Sequence, residues 1–163
     1  MDALRRQAAR LSHALNALCQ VLLTLLGAGM ALVIGLQVFF RYALNDSLFW
    51  SEELGRMCLV WLTFIGATVA YRRGAHIGVD VLTSRLSPTA RRTAAVLALS
   101  ASLAFFMASA WGGWNLFGLL AFQTMPALGL SKQIPFAVVP FSFVVLTVHG
   151  LSLLLDELAG EGP

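Results

Sequence analysis

Ionisable side chains stand at both ends of one short apolar segment of the sequence. They are Glu52, Glu53 and Arg56 at its beginning and Arg72, Arg73, His76 and Asp80 at its end. Acids and bases within a membrane helix mark proton relays, ion paths or contacts with other charged groups. Spacings of three and four residues place both glutamates on the helix face of Arg56. This spacing allows Arg56 to pair with either glutamate, and we predict that Arg56→Ala is damaging because it would leave carboxylates unpaired.

The length of the uncharged part decides how deep these charges lie. Residues 57–71 make 15 residues, about 22 Å of helix, against about 30 Å of hydrocarbon. The helix must therefore begin earlier, near Ser47, which places the charges at the two membrane boundaries. Proton coupling would need an acid near mid-membrane, and neither Glu52 nor Glu53 is predicted to lie there. Two interpretations stay open: functional groups, or interfacial side chains that reach the headgroups beside Trp50.

The composition predicts an integral membrane protein. The chain has 163 residues, of which 58% are hydrophobic and 12% charged, too apolar for a soluble domain of this size. Only helices and closed barrels satisfy their backbone groups in lipid, and the long, non-alternating apolar runs exclude a barrel. We expect no nucleic-acid partner, because no compact basic domain carries the excess of arginine.

Four spans are predicted within a single four-helix membrane domain over residues 1–163. They cover about 17–40, 48–71, 94–122 and 135–155. An amphipathic helix around residues 3–16 is expected before the first span, and an interfacial segment follows the second. Ser87 and Pro88 predict a helix start. The helix after them should tilt, project or break at Gly112-Gly113, and Pro140 should kink the fourth.

Arginine and lysine fall mostly on one predicted side of the membrane. One side carries eight, namely Arg5, Arg6, Arg10, Arg72, Arg73, Arg85, Arg91 and Arg92, and the other carries Arg41 and Lys132. Cytoplasmic segments carry the excess of positive charge. Both termini are therefore predicted to be cytoplasmic.

The sequence predicts no catalytic, metal or cofactor site. It contains no nucleophile–base pair, phosphate loop or zinc-ligand spacing, and the first, third and fourth spans have no charged group at mid-depth. Of His13, His76 and His149, only His149 lies clearly inside a span. The alternative interpretation is a haem- or quinone-binding anchor of a membrane oxidoreductase, with histidine as the haem ligand. The favoured interpretation is a non-enzymatic partner subunit or scaffold.

Two stretches resemble the small membrane subunit of TRAP transporters, the DctQ-like family. The first, "FWSEELGRMCLVWLTFIGATVAYRRGAHIGVDVL", contains a Trp, a Ser, paired Glu, an Arg and a later His and Asp in the family's order. The second, "QTMPALGLSKQIPFAVVPFSF", resembles the family's proline-containing turn. The resemblance implies the positioning or interface residues Trp50, Glu52, Glu53, Arg56, Trp61, Gly66, Arg72, Arg73, His76, Asp80, Pro126 and Pro140.

The same resemblance implies a function and partners. Such a subunit is expected to act as a scaffold for a large membrane subunit that moves by an elevator mechanism. Transport would be driven by an ion gradient, usually sodium, and would take up an organic acid anion delivered by a periplasmic binding protein. The implied location is the bacterial inner membrane, surrounded by lipid, with no cofactor and no enzymatic activity.

Overall fold

The computed structural model describes residues 2–73 and 87–159, apart from the side chains of residues 2–4 and 88. The long elements of the described chain are all helices. These are α1 (Asp2–Ala43), α2 (Ser51–Arg72), α3 (Pro88–Leu119) with a 3-10 turn at Leu120–Phe122, the short α4 (Gln133–Phe136), and α5 (Val138–Ala159). His76 and Asp80 lie outside the described residues, so their predicted roles stay predictions.

Contacts between helix ends show that the long helices alternate in direction. Arg5 near the start of α1 lies 4.0 Å from Asp156 near the end of α5. Arg92 near the start of α3 donates a hydrogen bond to the carbonyl of Leu158 over 2.9 Å. The starts of α1 and α3 and the end of α5 therefore share one end of the bundle, which we call the terminal end. The loops after α1 and α3 lie at the other end, the loop end.

The first helix is longer than expected. The sequence predicted a separate amphipathic helix around residues 3–16, but α1 runs without interruption over 42 residues, about 63 Å. No proline occurs in it and its first glycine is Gly27, so nothing in the sequence ends the helix after Asn16. Its first turns extend beyond the length needed to cross a bilayer and pack on α5.

A constant register joins α1 to α5. Arg5 contacts Asp156, and seven residues later Ser12 contacts His149, seven residues earlier in α5. Seven residues are close to two helical turns, so the same face of each helix returns at each step. One more step in each helix leads to Cys19 and Ser142, whose side chains are both 0% exposed. This seam forms one side of the core, together with Ile65 of α2.

The third helix stays continuous through Gly112-Gly113. Of the three outcomes that the sequence left open, a break at these glycines is wrong: α3 runs to Leu119 and a 3-10 turn completes it. A Cβ at Gly113 would lie 3.5 Å from the backbone nitrogen of Pro140. Gly113 therefore allows α3 to pack closely against α5 rather than interrupting α3. The predicted start at Ser87 is confirmed, because its hydroxyl accepts a bond from the Ala90 N–H.

The fourth span is interrupted near its beginning. Helix α4 ends at Phe136 and α5 begins at Val138, with a turn at Ala137 between them. Pro140 has no N–H to donate to the carbonyl of Phe136, which weakens the helix at this point. The division between α4 and α5 lies three residues before Pro140, while Ala137 keeps helical dihedral angles (φ −54°, ψ −31°). The kink or unpaired carbonyl expected at Pro140 stays a prediction.

Candidate docking site at the two ends of the second helix

At the loop end, Glu53 binds the loop that follows α3. Its Oε2 atom accepts hydrogen bonds from the backbone N–H groups of Ala127 over 3.0 Å and Leu128 over 2.9 Å. Hydrogen bonds to a carboxylate are stronger than those between neutral groups. Glu53 also lies in the first turn of α2, where a negative charge is favourable. The carboxylate therefore fastens this loop to the start of α2.

The loop bound by Glu53 is compact. Thr124 and Ser131 form an antiparallel bridge, and the N–H of Gly129 donates to the carbonyl of Met125 over 2.8 Å. Gly129 has a φ of +66°, a conformation that glycine adopts without steric cost. Pro126, one of the residues implied by the family resemblance, is exposed on this loop. The loop thus presents a fixed surface at the loop end of the bundle.

The ion pairs that the spacing allows between Arg56 and Glu52 or Glu53 do not form within the described chain. Among the described residues the structure contains one ion pair, between Arg5 and Asp156. Glu53 is occupied by the backbone of the loop, while Glu52 and Arg56 are both exposed. The local spacing suited a pair, but the tertiary contact gives Glu53 two hydrogen bonds instead. The predicted reason for an effect of Arg56→Ala, a carboxylate left unpaired, therefore does not hold for Glu53.

One face of α2 is exposed along the whole helix. We call it the outer stripe; its residues, at steps of three or four, are Glu52, Arg56, Leu59, Thr63, Ala67 and Ala70. Only Leu59 is a large apolar residue. By contrast, the exposed faces of α1 and α3 carry many large apolar side chains, such as Leu32, Phe39, Phe105 and Trp111. The outer stripe therefore differs in chemistry from the surfaces that suit lipid.

The other candidate residues of α2 pack inside the bundle or close to it. A Cβ on Gly66 would lie 3.7 Å from Leu23 of α1, so Gly66 serves the close approach of α1 and α2. Trp61 packs against the core cluster that contains Cys19 and Ile65. Trp50 is half-buried immediately before α2 begins. Gly66 and Trp61 are thus used within this chain.

At the terminal end, Arg72 contacts α1. Its Nη2 atom lies 3.0 Å from Nε2 of His13. Because a guanidinium only donates hydrogen bonds, His13 accepts at this nitrogen. Arg73 follows α2 and is exposed. The contact joins the end of α2 to α1 at the same end of the bundle as the pair formed by Arg5 and Asp156.

A buried hydrogen bond links α1 and α5 at a similar level. The Oγ atom of Ser12 lies 2.8 Å from Nδ1 of His149, and both side chains are 0% exposed. Nε2 of His149 has no hydrogen-bond partner among the described residues. His13 and His149 thus engage different side chains, and no group of three or more His, Cys, Asp or Glu side chains converges in the described part of the chain.

We expect the Ser12–His149 hydrogen bond to stabilise the α1–α5 seam measurably. Ser12→Ala leaves Nδ1 of a buried imidazole without its partner, which costs about 1 to 3 kcal/mol. His149→Leu removes the imidazole, so adding Ser12→Ala to it should cost much less. Unfolding of the four variants in detergent checks this double-mutant cycle. Additive effects of the two substitutions would contradict the proposed coupling.

Four of the described helical segments are long and apolar enough to cross a membrane. They cover Arg5–Ala43, Ser51–Arg72, Thr89–Phe122 and Gln133–Ala159. Residues 30–160 match the family model of the DctQ component of tripartite ATP-independent periplasmic transporters. This chain belongs to the DctQ family. The resemblance found in the sequence is thereby confirmed, as is the all-α, multi-pass membrane class.

Individual DctQ-type relatives are distant but consistent. A TRAP transporter small permease protein of Haemophilus influenzae is 26% identical over 91% of this chain and 89% of its own length. The C4-dicarboxylate TRAP transporter small permease protein DctQ of Vibrio cholerae is 34% identical over 53% of this chain and 37% of its own length. The isethionate TRAP transporter permease protein DctMQ of Oleidesulfovibrio alaskensis is 29% identical over 69% of this chain, but only 17% of that longer protein. The chain is thus a small permease subunit of a TRAP transporter.

Sequence reasoning missed three contacts of this DctQ chain. They are the hydrogen bonds that Glu53 accepts from the loop, the Ser12–His149 hydrogen bond, and the close approach of Gly113 to Pro140. Each joins residues that are far apart in the sequence. A signal existed for the Gly113–Pro140 contact, because a glycine in a membrane helix lets another helix approach closely. No local pattern indicates the other two, because a carboxylate and a histidine have several suitable partners.

Proposed function

We propose that this chain is a non-catalytic scaffold subunit that supports the large membrane subunit of a TRAP transporter. The transporter would couple uptake of an organic acid anion, delivered by a periplasmic binding protein, to an ion gradient, with sodium as the expected ion. The observation that carries the proposal is the outer stripe of α2, a charged and small-residue face on a chain that belongs to the DctQ family. One relative is a small permease named for C4-dicarboxylate, and another, the longer permease protein DctMQ, is named for isethionate; both names support an anionic substrate.

The distribution of acidic groups supports a role outside the transport path. Each described acidic side chain is exposed or half-buried and belongs to a helix end or a loop; they are Asp46, Glu52, Glu53, Asp156 and Glu157. An ion or proton path through this chain would need polar groups near the midplane. Of the buried polar groups, Ser12 and His149 join α1 to α5, and the Thr68 hydroxyl donates to a carbonyl of its own helix. This arrangement favours a scaffold without catalytic activity or cofactor.

The outer stripe of α2 is the surface that we assign to the large subunit. Small residues such as Thr63, Ala67 and Ala70 let a partner helix approach closely. Arg56 lies five residues into α2, about 7.5 Å along the axis, and is exposed. A lipid-facing arginine is costly at depth unless it reaches the headgroups, so a polar group on a partner helix would stabilise it. The DctMQ relative, a longer chain, supports a direct association of the two parts.

The loop end suits the periplasmic binding protein. The Glu53-bound loop is rigid and exposes Pro126. The terminal end carries Arg5, Arg6, Arg10, Arg72, Arg73, Arg91 and Arg92. Because positive charge marks the cytoplasmic side, we place both termini in the cytoplasm and the Glu53-bound loop in the periplasm, with the chain in the inner membrane. Residues 1–163 form one four-helix unit in this proposal.

Co-purification with the large subunit tests the proposal. In Ala67→Trp a large ring stands in the middle of the outer stripe, and we expect recovery of the large subunit to fall at least about tenfold, as for loss of a well-packed contact. Ala104→Trp is the matched control, because Ala104 is an exposed alanine on α3. It should recover the large subunit normally.

In cells that express both membrane subunits and the binding protein, uptake should fall in Ala67→Trp and stay normal in Ala104→Trp. A chain that never recovers a large permease under mild conditions would refute the scaffold role. Equal recovery with both tryptophan variants would refute the assignment to the outer stripe alone.

A further inference from the structure

A group of basic side chains meets where α2 ends beside α1. Arg72 of α2 binds His13 of α1 over 3.0 Å. Arg10 precedes His13 by three residues, so it lies on the same side of α1, one turn closer to the terminus. Arg10, His13 and Arg73 are exposed and Arg72 is half-buried. Arg10, Arg72 and Arg73 thus all lie towards the terminal end of the α1–α2 pair, and we call these three arginines with His13 the basic cluster.

The basic cluster has no carboxylate partner among the described side chains. The ion pair that the structure shows in this part of the chain joins Arg5 to Asp156, on the side of α1 that faces α5. The contact of Arg72 with His13 is a hydrogen bond to an imidazole and supplies no negative charge. Like charges held together are unfavourable without a counter-ion. The cluster is therefore suited to an anion from outside the described chain.

A shallow depression lies further along α1, on the surface of this one helix, and we call it the groove. It is open, has a volume of about 340 Å³, and is lined by Gln20, Val21, Thr24 and Leu25. Successive steps of three or four residues lead from position 10 through 13, 17 and 20 to 24, so the groove lies on the face of Arg10 and His13. The Thr24 hydroxyl donates to the Gln20 carbonyl, which leaves Leu25 and Val21 as the main exposed surface.

The depths of the two features match the two parts of a phospholipid. The His13–Arg72 contact lies at the end of α2, a helix of 22 residues and about 33 Å, close to the thickness of a hydrocarbon core. This contact therefore marks the headgroup level. The groove at residues 20–25 lies seven to twelve residues further along α1, about 10 to 18 Å deeper. One ligand with an anionic head and an apolar tail spans both.

We propose that the basic cluster and the groove form a binding site for an anionic phospholipid. Arg10 and Arg72 bind the headgroup phosphate, for which a guanidinium offers two parallel N–H donors. His13 orients the Arg72 guanidinium by accepting one of its N–H groups. An acyl chain lies along Val21 and Leu25. Basic pockets beside membrane helices bind lipid headgroups in this way.

The groove favours a lipid over an acidic segment of a partner protein. An acidic loop at the membrane surface would satisfy the arginines but would leave the groove, which lies deeper than any soluble segment, without an occupant. A single phospholipid places its charge at the cluster and its chain in the groove. The site does not depend on the outer stripe, so it goes beyond the scaffold function.

Native mass spectrometry of the full chain, alone and with its large subunit, tests the proposal. The probes are phosphatidylglycerol and phosphatidylethanolamine with the same acyl chains. We expect preferential retention of phosphatidylglycerol, and Arg10→Gln should weaken it about fivefold. Arg91→Gln is the control, because Arg91 is an exposed arginine at the terminal end of α3. It should leave retention unchanged.

A second variant tests the groove. Thr24→Trp fills it and should lower retention of phosphatidylglycerol, whereas Ala104→Trp on α3 should not. Free glycerol phosphate should fail to displace the lipid, because it lacks the acyl chains. Equal retention of both lipids, or equal weakening by Arg10→Gln and Arg91→Gln, would overturn the site. A cross-link from position 10 to the large subunit would assign the cluster to that protein instead.

The outcome separates this site from the scaffold proposal. If the chain alone retains phosphatidylglycerol but never recovers a large permease, the lipid site stands and the scaffold role fails. If the large permease is recovered with normal yield while Arg10→Gln has no effect on either lipid, the scaffold role stands and the lipid site fails.

Discussion

Replacing Glu53 with alanine should detach the loop that follows α3 from the start of α2. Oε2 of Glu53 accepts bonds from the N–H groups of Ala127 and Leu128. Without it, both N–H groups lose a charged acceptor, which costs about 2 to 3 kcal/mol in total at this half-buried site. Hydrogen exchange at these two amides should accelerate roughly thirtyfold, the factor that corresponds to about 2 kcal/mol. Uptake should fall if the binding protein needs the fixed loop.

The neighbouring residue supplies the matched control. Glu52 has the same side chain, occupies the same helical turn and is exposed, with no bond to the loop. Glu52→Ala should leave exchange at Ala127 and Leu128 unchanged. Glu53→Gln keeps an oxygen acceptor but removes the charge, so its effect should lie between those of the other two variants. Equal protection of the loop in Glu52→Ala and Glu53→Ala would show that the carboxylate does not hold it.

This contact also shows where prediction from the sequence ended. The spacing of Glu53 and Arg56 suggests a pair on one helix face, because a local pattern sees only neighbours in the same helix. The loop whose N–H groups bind Glu53 begins more than 70 residues later in the chain. Two hydrogen bonds from backbone N–H groups stabilise the carboxylate more than one ion pair with a solvent-exposed arginine does. The sequence singled out Glu53 as a candidate, but it did not indicate the loop as its partner.

The helices themselves were largely predictable. Apolar runs of about 20 residues set the number of crossings, and helices that satisfy their own backbone leave few alternatives in lipid. Ser87 and Pro88 correctly marked the start of α3. The first helix was underestimated because its early turns are polar outside and bind α5 inside, through Arg5 and Ser12. An amphipathic pattern indicates a face but not whether the helix continues.

The interior was harder to predict than the spans. Packing in lipid depends on shape and on a few polar contacts rather than on hydrophobicity, and apolar residues look alike along all four helices. Gly112 and Gly113 illustrate the difficulty, because they are adjacent and identical in type. One is exposed, while the other is buried against Pro140. Their different roles make them a direct test of the α3–α5 interface.

Gly113→Leu should be among the most damaging single substitutions in this bundle. A Cβ at this position would already lie 3.5 Å from the nitrogen and 3.6 Å from Cα of Pro140. These are backbone atoms at the start of α5, so they cannot move aside as a flexible side chain does. Alanine should therefore fit, but the remaining atoms of leucine would separate α3 from α5. We expect a loss of about 3 kcal/mol or more in the free energy of unfolding, as for an overpacked core.

Gly112→Leu provides the comparison at the next position. No atom of the described residues lies within 4 Å of a Cβ built there, and leucine has a higher helix propensity than glycine by about 0.8 kcal/mol. This variant should be as stable as the parent or slightly more stable when unfolding is measured in detergent. If Gly113→Leu behaved in the same way, the close contact of α3 with Pro140 would not form. If only Gly113→Leu lowers the stability, Gly113 serves the close packing of α3 against α5. The glycine pair that the sequence suggested as a helix break is then a packing site.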